Sequence, residues 1–248
     1  MTRTAFKALA ATELKLFRRD PATVFWAVVF PLVLLIVIGS IPSSREVAAD
    51  LGDRRFIDLY VPVLVALVLA VLAVSALPAI LANYRERGVL RRLATTPVSP
   101  AGVLAAQLVV NLAAAATAIA LVLVVARVAF GVALPAQPAG FLVAFALTAA
   151  ALLALGLLVA AVAPTARIAG AIGALLFFPM MFFAGLWLPR AAMPESLLQI
   201  SDYTPLGAAV GALQSSAEGD WPRALHLAVL AGYTLVFAAA ARRLFRWE

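Results

Sequence analysis

The residues best placed to do work in this chain are charged side chains held between apolar blocks. Residues 83–100 read NYRERGVLRRLATTPVSP, with Arg85, Arg87, Arg91 and Arg92 inside eight positions. On a helical wheel over residues 84–95, Val89, Leu90, Leu93 and Ala94 fall on one side, those arginines on the other, and Glu86 among the apolar residues. A short amphipathic helix of this kind, ended by Thr96-Pro97, is either a docking element for a soluble partner or a topogenic charge cluster. Catalytic chemistry is harder to find. A phosphate-binding loop needs G-x-x-x-x-G-K-[ST], and the only lysines, Lys7 and Lys15, do not follow glycine. There is no HExxH, no pair of intramembrane aspartates and no Ser/His pair at helical spacing. The absence of cysteine excludes disulfides, iron–sulfur clusters and thiolate metal sites.

The elements around these charges are membrane spans. Apolar residues make up 65% of the chain, far above the ~45–50% of ordinary soluble domains. Uncharged runs cover residues 21–41, 59–83, 103–126, 139–163, 168–188 and 224–241. At ~1.5 Å per residue, ~20 helical residues match the ~30 Å hydrocarbon core. Five runs reach that length, and extending the sixth to Trp221, with Arg223 snorkelling, restores it. An apolar stretch this long, behind a twenty-residue segment rich in charged and polar residues, argues against a cleaved signal peptide, so span one is expected to stay. The expected fold class is all-α integral membrane: six transmembrane helices, an N-terminal amphipathic interfacial helix over residues 1–20, the short amphipathic helix of the basic loop on the cytoplasmic side, and short external helices re-entering the bilayer.

Six spans place both termini on one side with the loops after spans two and four. That side holds Arg3, Lys7, Lys15, Arg18, Arg19, Arg85, Arg87, Arg91, Arg92, Arg167, Arg242, Arg243 and Arg246, most of the 19 basic residues. The other side holds Glu46, Asp50, Asp53, Asp58, Glu195, Asp202, Glu218 and Asp220, most of the 12 carboxylates. The positive-inside rule puts both termini in the cytoplasm. Topology and anionic lipid account for the net charge of +7, and no nucleic acid partner is expected.

Several residues inside this frame are candidates for function. In the first twenty residues Phe6, Leu9, Ala10, Leu14, Leu16 and Phe17 share an arc opposite Lys7, Lys15, Arg18 and Arg19, which describes a helix lying on the membrane surface. Glu13 interrupts that arc and is expected to meet an arginine or a backbone amide, or else to snorkel. Asp20-Pro21, Ser99-Pro100 and Thr165 carry helix-start chemistry. Pro31, Pro78 and Pro179 each delete a helical hydrogen bond, as packing kinks or as hinges. Gln107 and Asn111 share a face and either line a pathway or join helices. Gly170 and Gly173 flatten span five for close helix contact, including contact across a dimer. His226 is an interfacial hydrogen-bonding residue or a substrate or proton ligand. Residues 205–217 are apolar but too short to cross, which suits a re-entrant helix.

The loop Glu86-x-Gly88-x-Leu90-x-x-Leu93-x-x-Thr96-Pro97-Val98-Ser99 resembles the signature loop of ABC-2 type permeases. Gly185, Pro189, Met193-Pro194, Leu197 and Pro205 are similar to the series that follows span five in that family. The resemblance covers the whole chain, with Pro100 and Gln107 standing where many relatives are basic. It implies that Glu86, Gly88, Leu90, Leu93 and Pro97, with the neighbouring arginines, form a coupling helix seated in a groove of a separate P-loop ATP-binding subunit. It further implies that Mg-ATP is bound by that subunit, with no cofactor in this chain, and that residues 21–248 form a transmembrane domain pairing with a second permease copy, identical or different. The implied function is export of a hydrophobic drug, antibiotic or lipid-linked compound from a bacterial cytoplasmic membrane. An ion- or proton-driven carrier is the alternative, and it lacks the Asp or Glu within the spans that ion coupling needs.

Overall fold

The computed structural model describes residues 3–89 and 100–244. Among them, six helices are long and apolar enough to cross a membrane. Span one is Pro21–Ser40, span two Phe56–Glu86, span three Pro100–Phe130, span four Pro138–Val162, span five Ala166–Ala184 and span six Ala224–Leu244. A surface helix, Arg3–Arg18, precedes them and packs on span three. Span six gains its length at residues 242–244, where Arg242 and Arg243 complement the negative helix end, and not by extension back to Trp221.

Span two is the centre of the bundle. Its apolar stretch is 78% buried within the chain, against 22% for spans one and five and 17% for span six, so those outer spans turn most of their apolar side chains away from the bundle. Leu175 of span five and Leu235 of span six are accordingly among the most exposed large apolar residues. Helix Pro205–Glu218 has a continuous buried stretch from Leu206 to Leu213 and packs on spans two, four, five and six. It therefore re-enters the bundle as its length and apolarity imply. A shorter helix, Glu195–Asp202, and a two-residue antiparallel pair, Val47–Ala48 with Arg54–Arg55, complete the same end.

Proline shapes the two leading spans in one way. Pro31 and Pro78 each lack an N–H and would press their rings on the carbonyl four residues earlier. In each case the preceding turn opens to π-helical geometry, over Phe25–Val29 and Val71–Ala76, which moves that carbonyl aside. The widened turn of span two then needs neighbours without side chains. A Cβ on Gly156 of span four would overlap the Ala73 carbonyl oxygen, and one on Gly173 of span five would stand 2.7 Å from the Val74 oxygen. Gly173 thus serves close contact within this chain. Gly170 has nothing within 4 Å of its Cβ position and remains open.

Candidate coupling site and membrane-facing groove

The last turn of span two reaches three other elements through three consecutive side chains. Tyr84 donates its hydroxyl to Glu13 Oε2 on the surface helix at 2.7 Å. Arg85 donates to the Ala160 carbonyl at 3.3 Å and to the Ala163 carbonyl, at the end of span four. Glu86 Oε1 accepts the Ala166 N–H at 3.0 Å, at the start of span five. The charges match the helix dipoles: a cation faces the negative C-terminal end of span four, and an anion faces the positive N-terminal end of span five. Thr165 caps span five alongside, accepting from Ile168 N at 3.2 Å. Arg85 and Glu86 thus clamp the turn between spans four and five from the base of the basic loop.

Glycine ends the clamp-bearing helix. Span two stops at Glu86, the Arg87 and Gly88 amides bond back to the Asn83 and Arg85 carbonyls at 3.0 Å each, and Gly88 adopts φ +65°. That left-handed conformation suits a glycine just past a helix end. It overturns the expectation of one continuous amphipathic helix over residues 84–95, because residues 84–86 belong to span two and the chain turns at residues 87–88. Leu90, Arg91, Arg92, Leu93 and Pro97 lie outside the described residues.

Beneath the surface helix lies a buried polar cluster. Glu13 is 5% exposed, accepting from Tyr84 and, at 2.5 Å, from Gln107 Nε2 of span three. Among the described residues its partners are a neutral hydroxyl and a neutral amide, where the sequence predicts an arginine or a backbone amide. Burial raises the Glu13 carboxyl above its ordinary 4.5, opposed in part by the Tyr84 hydrogen bond. Asn111 is buried behind Gln107 and donates to the Gln107 carbonyl at 2.8 Å. Gln107 therefore joins helices, while Asn111 bonds within its own. Phe17 packs its ring against the core one turn after Glu13.

Toward the bilayer, spans one, two and five enclose a groove of about 550 Å³ lined largely by apolar groups, among them Trp26, Ser75, Asn83, Gly170, Phe177 and Phe178. Gly170, open on its free side, belongs to this groove; Gln107 and Asn111 do not line it. The Asp20 carboxylate at its edge also caps span one, accepting from Thr23 N at 3.2 Å and Thr23 Oγ1 at 2.6 Å. His226 lies at the opposite end, 3% exposed, with Nε2 3.1 Å from Asp202 Oδ1.

Six spans with the second at their centre, a surface helix before them, a re-entrant helix after span five and a charged span-two end fastened to the turn between spans four and five define a multi-pass membrane protein. The family model described as ABC-2 type transporter matches residues 4–217, from the surface helix through the re-entrant helix. The chain belongs to that family and is the permease component of an ABC transporter. No curated protein matches the chain in a sequence search.

Proposed function

We propose that this permease exports a hydrophobic or amphipathic compound, such as a drug, antibiotic or lipid-linked molecule, using ATP hydrolysed by a separate P-loop subunit. The carrying observation is the contact set of Tyr84, Arg85 and Glu86, through which the base of the basic loop holds the surface helix and the turn joining spans four and five. A push on that loop by an ATPase would act on four elements at once. Two permease copies, identical or different, would then rearrange about the groove between spans one, two and five. The largely apolar lining of that groove supports an apolar cargo. The distribution of arginines supports insertion in a bacterial cytoplasmic membrane with both termini and residues 83–100 on the cytoplasmic side. Mg-ATP belongs to the partner in this reading, and residues 1–20 act as an elbow to the transmembrane domain of residues 21–248.

The reading is tested by co-reconstituting the chain with its ATPase partner and measuring hydrolysis and transport together. Reversing Arg91 and Arg92 to glutamate, or Gly88→Val, should leave hydrolysis and membrane insertion intact while transport is lost. Gly88→Val is unfavourable for a stated reason: φ +65° is strained for a β-branched residue. Undiminished transport in both variants refutes the coupling role. ATPase stimulation only by charged sugars or inorganic ions refutes the apolar cargo.

A further inference from the structure

At the acidic end, three arginines converge on one small cavity. Arg54, Arg190 and Arg223 line a pocket of about 230 Å³ with Asp202, Glu218 and His226. Carboxylates outnumber arginines at this end of the chain, yet here three guanidinium groups face two carboxylates. Arg54 pairs with Glu218, and Arg190 pairs with Asp202 at 2.5 Å. The Arg223 guanidinium has no hydrogen bond or ion pair among the described residues, and it lies near enough to Arg190 to oppose that charge.

The pocket is built rather than incidental. Arg190 is 7% exposed and is held by Ser201 Oγ as well as Asp202, while Ser201 in turn donates to the Phe183 carbonyl at 2.6 Å. His226 is buried against Gly211, and its Nδ1 is a buried ring nitrogen without a hydrogen-bond partner among the described residues. Span six begins at Ala224, so the positive end of its dipole lies against the same space. Trp187, Tyr203 and Trp221 are each more than half exposed around this end, as aromatic side chains are at headgroup depth.

We propose that this pocket is an anion site that takes a phosphate group at headgroup depth, with Arg223 supplying the uncompensated charge and Arg54 and Arg190 its polar walls. Guanidinium groups match phosphate oxygens in fork geometry, and a helix N-terminus adds oriented dipoles. The phosphate belongs to a phospholipid headgroup or to a soluble phosphate compound, and both present the same oxyanion.

The test is thermal unfolding of the full chain in neutral detergent at fixed ionic strength, with sodium phosphate or short-chain phosphatidylglycerol set against chloride. Stabilisation by both ligands supports the site with a soluble phosphate as sufficient ligand; stabilisation by phosphatidylglycerol alone supports it with lipid as the source. In either case Arg223→Gln should weaken the apparent affinity by about tenfold, and Arg223→Lys by much less. Arg54→Gln, read by counting bound phosphatidylglycerol in native mass spectra, should lower occupancy in parallel. No stabilisation beyond chloride, or an Arg223→Gln response equal to that of the unaltered chain, overturns the proposal.

Discussion

Each end of the bundle contains a well-shielded carboxylate, and the two are held by opposite means. Glu13, at the basic end, meets a tyrosine hydroxyl and a glutamine amide. Asp202, at the acidic end, meets the Arg190 guanidinium at 2.5 Å and the His226 ring at 3.1 Å. Neutral donors leave Glu13 sensitive to its proton, whereas a buried cation ties Asp202 into an ion pair. The end expected to receive mechanical work is thus joined by hydrogen bonds and helix-end contacts that can exchange partners at modest cost. The far end is fastened by charge.

The largest expected effect lies at the fastened end. Arg190→Met leaves the shielded Asp202 charge with the His226 ring in place of a guanidinium, and removing one partner of a buried ion pair costs about 3–5 kcal/mol. Denaturant unfolding in detergent should show a loss of that order, with a smaller loss in the double variant Arg190→Met with Asp202→Asn. Equal losses would mean that packing, not charge, dominates there. At the basic end, Arg85→Ala and Glu86→Ala each remove one helix-end contact, worth about 0.3–1 kcal/mol and up to ~2 kcal/mol where partly buried. Their stability losses should be smaller than that of Arg190→Met, while transport per ATP falls more. A drop in stability without uncoupling would reduce the clamp to a structural role.

Glu13 sharpens the contrast through pH. Its folded carboxyl holds a proton more tightly than the unfolded one, so its contribution to stability is fully present below about 4.5, the ordinary value, and is lost as pH rises through the higher folded value. Glu13→Gln should abolish that decline while retaining the Tyr84 and Gln107 contacts, and unfolding measured across pH checks it. A slope that persists in the variant would assign the titration elsewhere. The smallest effect belongs to the exposed Arg54–Glu218 pair, with side chains 38% and 43% exposed. In ligand-free buffer, breaking it should cost about 1 kcal/mol or less.

The sequence carried the spans because uncharged runs of bilayer length leave little choice, and Asp20-Pro21 and Thr165 marked helix starts that the side-chain caps now show. Local chemistry of that kind is readable one segment at a time. The clamp was not, because Arg85 and Glu86 find partners 75 to 80 residues away. Periodicity also carried the wheel straight through Gly88, although a glycine just after charged residues is itself a helix-end signal. The pattern around Glu13 calls for an arginine, a backbone amide or an outward-snorkelling side chain, but a carboxyl whose proton affinity rises on burial can also rest among the neutral Tyr84 and Gln107 donors, which lie 71 and 94 residues away. The role of Gly156 has no local sequence signal, since only the opened turn before Pro78 brings the Ala73 carbonyl against it.

The central claim is that an ATPase drives this permease through the base of the basic loop. It is tested most directly in proteoliposomes containing the chain with and without its ATPase partner, by following cargo movement and phosphate release together. The account predicts transport only with the partner and ATP, and hydrolysis largely without transport when Glu86 is alanine. Cargo movement driven by an ion gradient in vesicles without any ATPase, or full coupling in Glu86→Ala, would contradict it.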